Sequence, residues 1–176
     1  MSRRTPRTAR HREHSARQAK PALADCVILI GVPGAGKTTF YEQSFSATHR
    51  HISKDRWPNV RDREARQRQE LTEALTDGAS AVIDNTNASV ADRAAIIAIA
   101  RAHGARVAGY FFAVTTREAV ARNARRSGRQ RVPNVAIFTI AKRLEPPTLE
   151  EGFDELFRVS VTPEGTFVVE DGRPLL

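Results

Sequence analysis

The chain has 176 residues, 40% hydrophobic and 27% charged, a composition expected of one soluble globular domain with a substantial core. Cys26 is its single cysteine, which excludes a disulfide framework and a cysteine-rich zinc site and suits a reducing, cytoplasmic setting. The longest apolar run, residues 94–100, is far shorter than the roughly 18 residues a membrane span requires, so no membrane role is expected.

The formal net charge is +8, but it is unevenly spread. Residues 1–22 carry six Arg and Lys20 against Glu13, a net +6, with almost no large apolar side chain. Such a stretch cannot offset the entropy of ordering, so it is expected to be a disordered basic tail ahead of a folded domain over residues 23–176. A nucleic-acid-binding arm and a plain solvated tail both fit it. A second basic concentration lies between Thr115 and Arg143, where eight bases face Glu118 alone.

Residues 26–30 form a continuous apolar run, as a buried parallel strand requires. A Gly-rich turn over residues 31–38 follows, and a helix starts at Lys37. Residues 49–53 suit a short strand. Residues 59–77 suit a polar helix with Leu71 and Leu75 on one face, stopped at Gly78. Residues 79–83 are a third strand ending at Asp84. Residues 89–103 are an amphipathic helix, with Ser89 and Asp92 at capping-box spacing and Gly104 as its stop. A fourth strand covers residues 106–114 and a basic helix residues 116–126. Pro133 opens a helix that stops before Pro146, and strands follow at 153–161 and 166–169. This alternation predicts an α/β fold, a parallel sheet with helices on both faces.

Residues 31–38, Gly-Val-Pro-Gly-Ala-Gly-Lys-Thr, satisfy G-x-x-x-x-G-K-[ST]. Placed between a buried strand and a helix, they predict a P-loop NTPase fold that binds ATP and Mg²⁺. Gly31, Gly34 and Gly36 free the backbone to turn N–H groups inward, while Val32, Pro33 and Ala35 complete the loop. Lys37 supplies a point charge for the β and γ phosphates, Thr38 a hydroxyl for Mg²⁺, and Thr39 continues into the helix.

Three clusters bear on the acceptor. Ser53-Lys54-Asp55-Arg56 follows the short second strand, where α/β sheets bind ligands, so Asp55 is a candidate general base; an N-cap or surface ion pair is the plainer alternative. Asp84-Asn85-Thr86-Asn87 ends an apolar strand in the manner of a Walker B carboxylate, making Asp84 a candidate metal ligand, while Asn85 and Asn87 suit a tight turn. In the run from Arg122 to Arg131, Arg122, Arg125, Arg126 and Arg129 share one face if the helix continues past Gly128. An anion would relieve their repulsion, which suits a helical lid over a triphosphate; a solvated basic face is the alternative.

In this order, Gly-Val-Pro-Gly-Ala-Gly-Lys-Thr-Thr-Phe, Ser-Lys-Asp-Arg, Ile-Asp-Asn-Thr-Asn, Arg93, Arg-Asn-Ala-Arg-Arg and Pro-Pro-Thr-Leu-Glu-Glu-Gly-Phe resemble the kinase domain of polynucleotide 5′-hydroxyl kinases. The likeness covers roughly residues 24–160. It implies that Lys37 and Thr38 bind ATP phosphates and Mg²⁺, that Asp55 takes the proton from a 5′-hydroxyl, and that Asp84 lies near the metal or acceptor. It also implies that Arg126 is the lid arginine on the donor phosphates, with Arg122 a secondary match. Arg93 matches a recurrent position to which no role attaches. The phage-type members carry an acceptor-gripping Arg three residues after the base, where this chain has Pro58; Arg56 and Arg61 are the nearby substitutes. Three readings therefore stand: a kinase acting on a nucleic-acid 5′-OH end, a P-loop kinase acting on a sugar, antibiotic or nucleotide-sugar, and a nucleotide-binding switch. DNA or RNA preference and oligomeric state stay open.

Overall fold

The computed structural model describes residues 23–128 and 131–171. The basic stretch 1–22 and Arg129 of the arginine run lie outside these residues. In chain order the elements are β1 (Asp25–Ile30), α1 (Lys37–Ser44), β2 (Arg50–Ile52), α2 (Arg63–Thr76), β3 (Ala81–Asp84), α3 (Val90–Ala102), β4 (Arg106–Phe112), α4 (Thr116–Ala124), α5 (Asn134–Arg143), β5 (Glu155–Val161) and β6 (Phe167–Asp171). Single 3-10 turns occupy Lys54–Arg56 and Leu149–Glu151.

The strands form one sheet in the order β2-β3-β1-β4-β5-β6. The first five are parallel, and β6 joins β5 antiparallel at the edge. β1 lies in the middle, which explains its unbroken apolar run: both of its faces are covered. Side chains alternate across a strand, so Cys26, Ile28 and Ile30 enter one apolar cluster and Val27 and Leu29 the other. The first cluster packs Leu71 and Leu75 of α2 and Ile96, Ile97 and Ala100 of α3 on the sheet. The second packs Phe40 of α1, Ala119 of α4 and Ile137 of α5 on the opposite face. Helices thus cover both faces, as the sequence predicts. Cys26 is fully buried, and burial pushes its thiol up to about 12, with the charge of Asp25 adding to the effect.

Parallel strands put the carboxyl ends of β1, β2, β3 and β4 along one edge, where the loops that follow them emerge. Register aligns Leu29 with Asp84 and Ile52 with Ile83, so Asp84 stands one residue beyond the end of β2.

The structure corrects some boundaries. α2 starts at Arg63 rather than Asn59, because residues 57–60 form a turn (Val60 N to Trp57 O, 3.1 Å) and the cap is Asp62, whose Oδ1 accepts from Ala65 N at 2.8 Å. α3 keeps its Ser89–Asp92 capping box. α4 stops at Ala124, so Arg122, Arg125 and Arg126 do not share one continuous helical face. The cause is Asn123, which is fully buried. Its Nδ2 donates to Val132 O (2.7 Å) and its Oδ1 accepts from Val132 N (3.1 Å), folding the chain back toward α5.

Candidate active site

The phosphate loop runs from Gly31 into α1. Gly36, the N-cap of α1, has φ 101°, a conformation that favours glycine, and offers no side-chain cap. The first turn of α1 also lacks an acidic residue, so its N–H groups face outward without a carboxylate partner on their own helix. Gly34 has φ 84°, and a Cβ there would lie 2.6 Å from Ala119 O. The loop therefore packs directly on the backbone of α4. Gly31 N donates to Thr86 O (3.0 Å), which joins the loop to the turn after β3.

Lys37 is 8% exposed and its Nζ donates to Gly31 O and Val32 O, both at 2.9 Å. Burial pushes its ammonium down to about 8; Asp84 opposes that shift, Arg126 adds to it and Asp55 opposes it. Four sequence candidates, Lys37, Asp84, Arg126 and Asp55, are thus close enough to share one electrostatic neighbourhood.

Asp84 is 5% exposed at the end of β3. Its Oδ2 accepts from Thr38 Oγ1 at 2.7 Å, and His51 Nε2 meets the same oxygen at 3.0 Å. The His51 ring stacks on Tyr41, with centroids 4.0 Å apart and planes 12° apart. The following residues are structural. Asn85 Oδ1 accepts from Lys54 N (3.0 Å) and its Nδ2 donates to the buried Gln67 (2.6 Å). Asn87, with φ 44°, donates to Leu29 O at 2.7 Å and ties the ends of β3 and β1 together.

Asp55 is exposed in the 3-10 turn after β2, and its backbone N–H donates to Ser53 Oγ at 3.4 Å. Lys54 pairs with Glu64, and Arg56 Nη1 donates to His51 O at 2.8 Å. The turn is therefore held by β2 on one side and Asn85 on the other, with the Asp55 carboxylate left facing solvent.

Two groups test whether these residues suit a triphosphate. Arg122 Nη1 is a buried donor with no hydrogen-bond partner among the described residues, and the Lys37 ammonium has only main-chain carbonyls of its own loop as hydrogen-bond acceptors. A buried guanidinium nitrogen without an acceptor, and an ammonium at the N-terminus of α1, both fit phosphate. Thr38 and Asp84 place a hydroxyl and a buried carboxylate side by side, a hard-oxygen set that fits Mg²⁺. Among the described residues no group of three or more His, Cys, Asp or Glu is placed to hold a metal ion.

A family model described as an AAA domain matches residues 26–147. The chain belongs to that family. This AAA domain has a P-loop kinase fold, similar to Kti12 of Chaetomium thermophilum solved with ADP-AlF3 (17% identity, 77% of this chain and 88% of that one, TM-score 0.57). It is also similar to a gluconokinase of Sinorhizobium meliloti (19%, 78% and 83%, TM-score 0.57) and to a fungal RNA kinase (14%, 88% and 80%, TM-score 0.59). At these identities the likeness is one of fold. No helix among the described residues is long and apolar enough to cross a membrane.

Arg93, left without a role by the sequence, is a fully buried clamp in this AAA domain. Its Nε and Nη2 donate to Glu151 at 2.6 and 2.7 Å, and its Nη1 to the carbonyls of Asn87, Ala88 and Glu145 at 3.0, 3.2 and 3.1 Å. It thereby fastens the Pro-Pro-Thr-Leu-Glu-Glu-Gly segment beneath the Asp84 turn. His51 and Tyr41 were not legible as site residues. Only the β2–β3 register shows that a histidine in a three-residue strand reaches Asp84.

Proposed function

We propose that this chain transfers the γ-phosphate of ATP to a polynucleotide 5′-hydroxyl end. The observation that carries the reading is the joining of the phosphate loop to the ends of β2 and β3: Thr38 Oγ1 meets the buried Asp84 carboxylate at 2.7 Å, and Asn85, next in sequence, holds the Asp55 turn through Lys54 N at 3.0 Å. Lys37 and the amides at the start of α1 bind the donor phosphates. Arg126 and Arg122 meet the charge that develops on the transferring group, where a cation lowers the barrier most. Thr38 and Asp84 would hold Mg²⁺, which when bound supplies charge that neutralises the phosphate oxygens. Asp55 takes the proton from the attacking hydroxyl, whose oxygen forms the new P–O bond as the bond to the ADP oxygen breaks. The exposure of Asp55 leaves it open to a large acceptor such as a nucleic-acid end.

Pro58 favours a second reading, a small-molecule acceptor, because no arginine stands at the acceptor-phosphate position and Arg56 is engaged with His51 O. Incubation with γ-labelled ATP, Mg²⁺ and a panel of 5′-OH oligonucleotides, sugars and nucleosides separates the two. Label on oligonucleotides alone supports the first reading. Label on a small molecule alone replaces it with the second, and ATP binding without transfer leaves a nucleotide switch.

A further inference from the structure

Asp84 Oδ2 has two donors, one from each side. Thr38 Oγ1 approaches from α1 at 2.7 Å and His51 Nε2 from β2 at 3.0 Å. Both contacts end on the same oxygen, which leaves Oδ1 for other partners. Tyr41 lies flat against the His51 ring at 4.0 Å, and Arg56 holds the His51 main-chain carbonyl at 2.8 Å. Tyr41 belongs to α1, the helix that begins with Lys37 and Thr38. The stack therefore couples the histidine to the helix that carries the phosphate-binding residues. Nothing else on β2 can supply this donor, because Arg50 pairs with Asp77 and Ile52 is buried in the core.

We infer that His51 is a positioning residue for divalent-cation binding: with Nε2–H donating, it pins Asp84 so that Oδ1 and the Thr38 hydroxyl face the cation of Mg·ATP. Hydrogen bonds that orient a ligating carboxylate commonly set metal affinity, and their loss costs about 10–100-fold. The inference rests on the nucleotide reading above.

His51→Phe keeps a ring to stack on Tyr41 and removes the donor, whereas His51→Gln keeps a donor and removes the ring. ATP binding is measured by calorimetry on each full-length protein, in EDTA and across a Mg²⁺ series. In EDTA all three proteins are expected to bind alike, because the loop is untouched. His51→Phe is expected to need about 10–100-fold more Mg²⁺ for its half-maximal effect, while His51→Gln stays near wild type. In turnover, His51→Phe recovers the wild-type kcat at high Mg²⁺. Should His51→Phe misfold by circular dichroism, His51→Ala takes its place. Wild-type Mg²⁺ dependence in the donor-less variant overturns the inference alone. So does an equal loss in His51→Phe and His51→Gln, which would assign the effect to shape. Mg²⁺-independent ATP binding by the wild type removes the cation site and the inference with it, whereas no ATP binding by the wild type, with or without Mg²⁺, removes the underlying nucleotide reading as well.

Discussion

At the scale of single residues, Asp55 and Asp84 show how environment divides two carboxylates. Asp84 is buried and held by two donors, which suits a fixed ligand; Asp55 faces solvent, which suits a proton acceptor that must meet a substrate. Asp55→Asn keeps the shape and removes the basicity. Transfer is expected to fall about 10²–10⁴-fold with ATP affinity unchanged, measured by single-turnover kinetics beside calorimetry. Lost ATP affinity would make Asp55 a metal-site residue instead. Cys26 permits a pH prediction. Its thiol keeps the proton to about pH 12 when folded, against 9.0 as the ordinary value. Between those limits the unfolded chain releases a proton that the folded chain retains, so stability present below pH 9 is lost as pH rises toward 12. The urea midpoint of the wild type is expected to drop more between pH 8 and pH 10 than that of Cys26→Ala.

At the scale of elements, the contact between the phosphate loop and α4 ties that loop to the helix that carries Arg122. Gly34→Ala places a methyl 2.6 Å from Ala119 O at a φ of 84°, so either the loop or α4 must move. The strain is worth about 1–3 kcal/mol. Any shift of α4 carries Arg122 with it, so ATP affinity is expected to fall by more than the change in urea stability accounts for. The Arg93–Glu151 clamp gives a different expectation. Glu151→Ala leaves a fully buried guanidinium without its carboxylate, at a cost of about 3–5 kcal/mol by chemical denaturation. The pair of changes Arg93→Met and Glu151→Leu together is expected to cost less than Glu151→Ala alone, since no unpaired charge stays buried.

For the whole molecule, much was legible because the signals were local. The apolar run at β1, the Gly-rich loop and the Ser89 capping box each declare themselves within a few residues, and together they fix the order of strands and helices. What escaped depends on distant partners. The end of α4 is set by Asn123 reaching Val132, the role of Arg93 by Glu151, and the reach of His51 by the β2–β3 register. The uneven charge of the chain also gives a test. Deletion of residues 1–22, with their +6 and scarcity of apolar side chains, is expected to leave the melting temperature unchanged. If the stretch contacts nucleic acid, the slope of log affinity against log salt becomes shallower. A large fall in melting temperature would overturn the reading of this stretch as a tail. The last strand has a consequence for the order of synthesis. Phe167 of β6 covers Gly36: a Cβ there would lie 3.3 Å from the ring, which also meets Phe40 edge-on at 5.2 Å. On the ribosome about 130 residues separate the emergence of Gly36 from that of Phe167, on the order of ten seconds of translation. Throughout that interval the growing chain carries every residue of its phosphate loop while one wall of the loop has yet to be made.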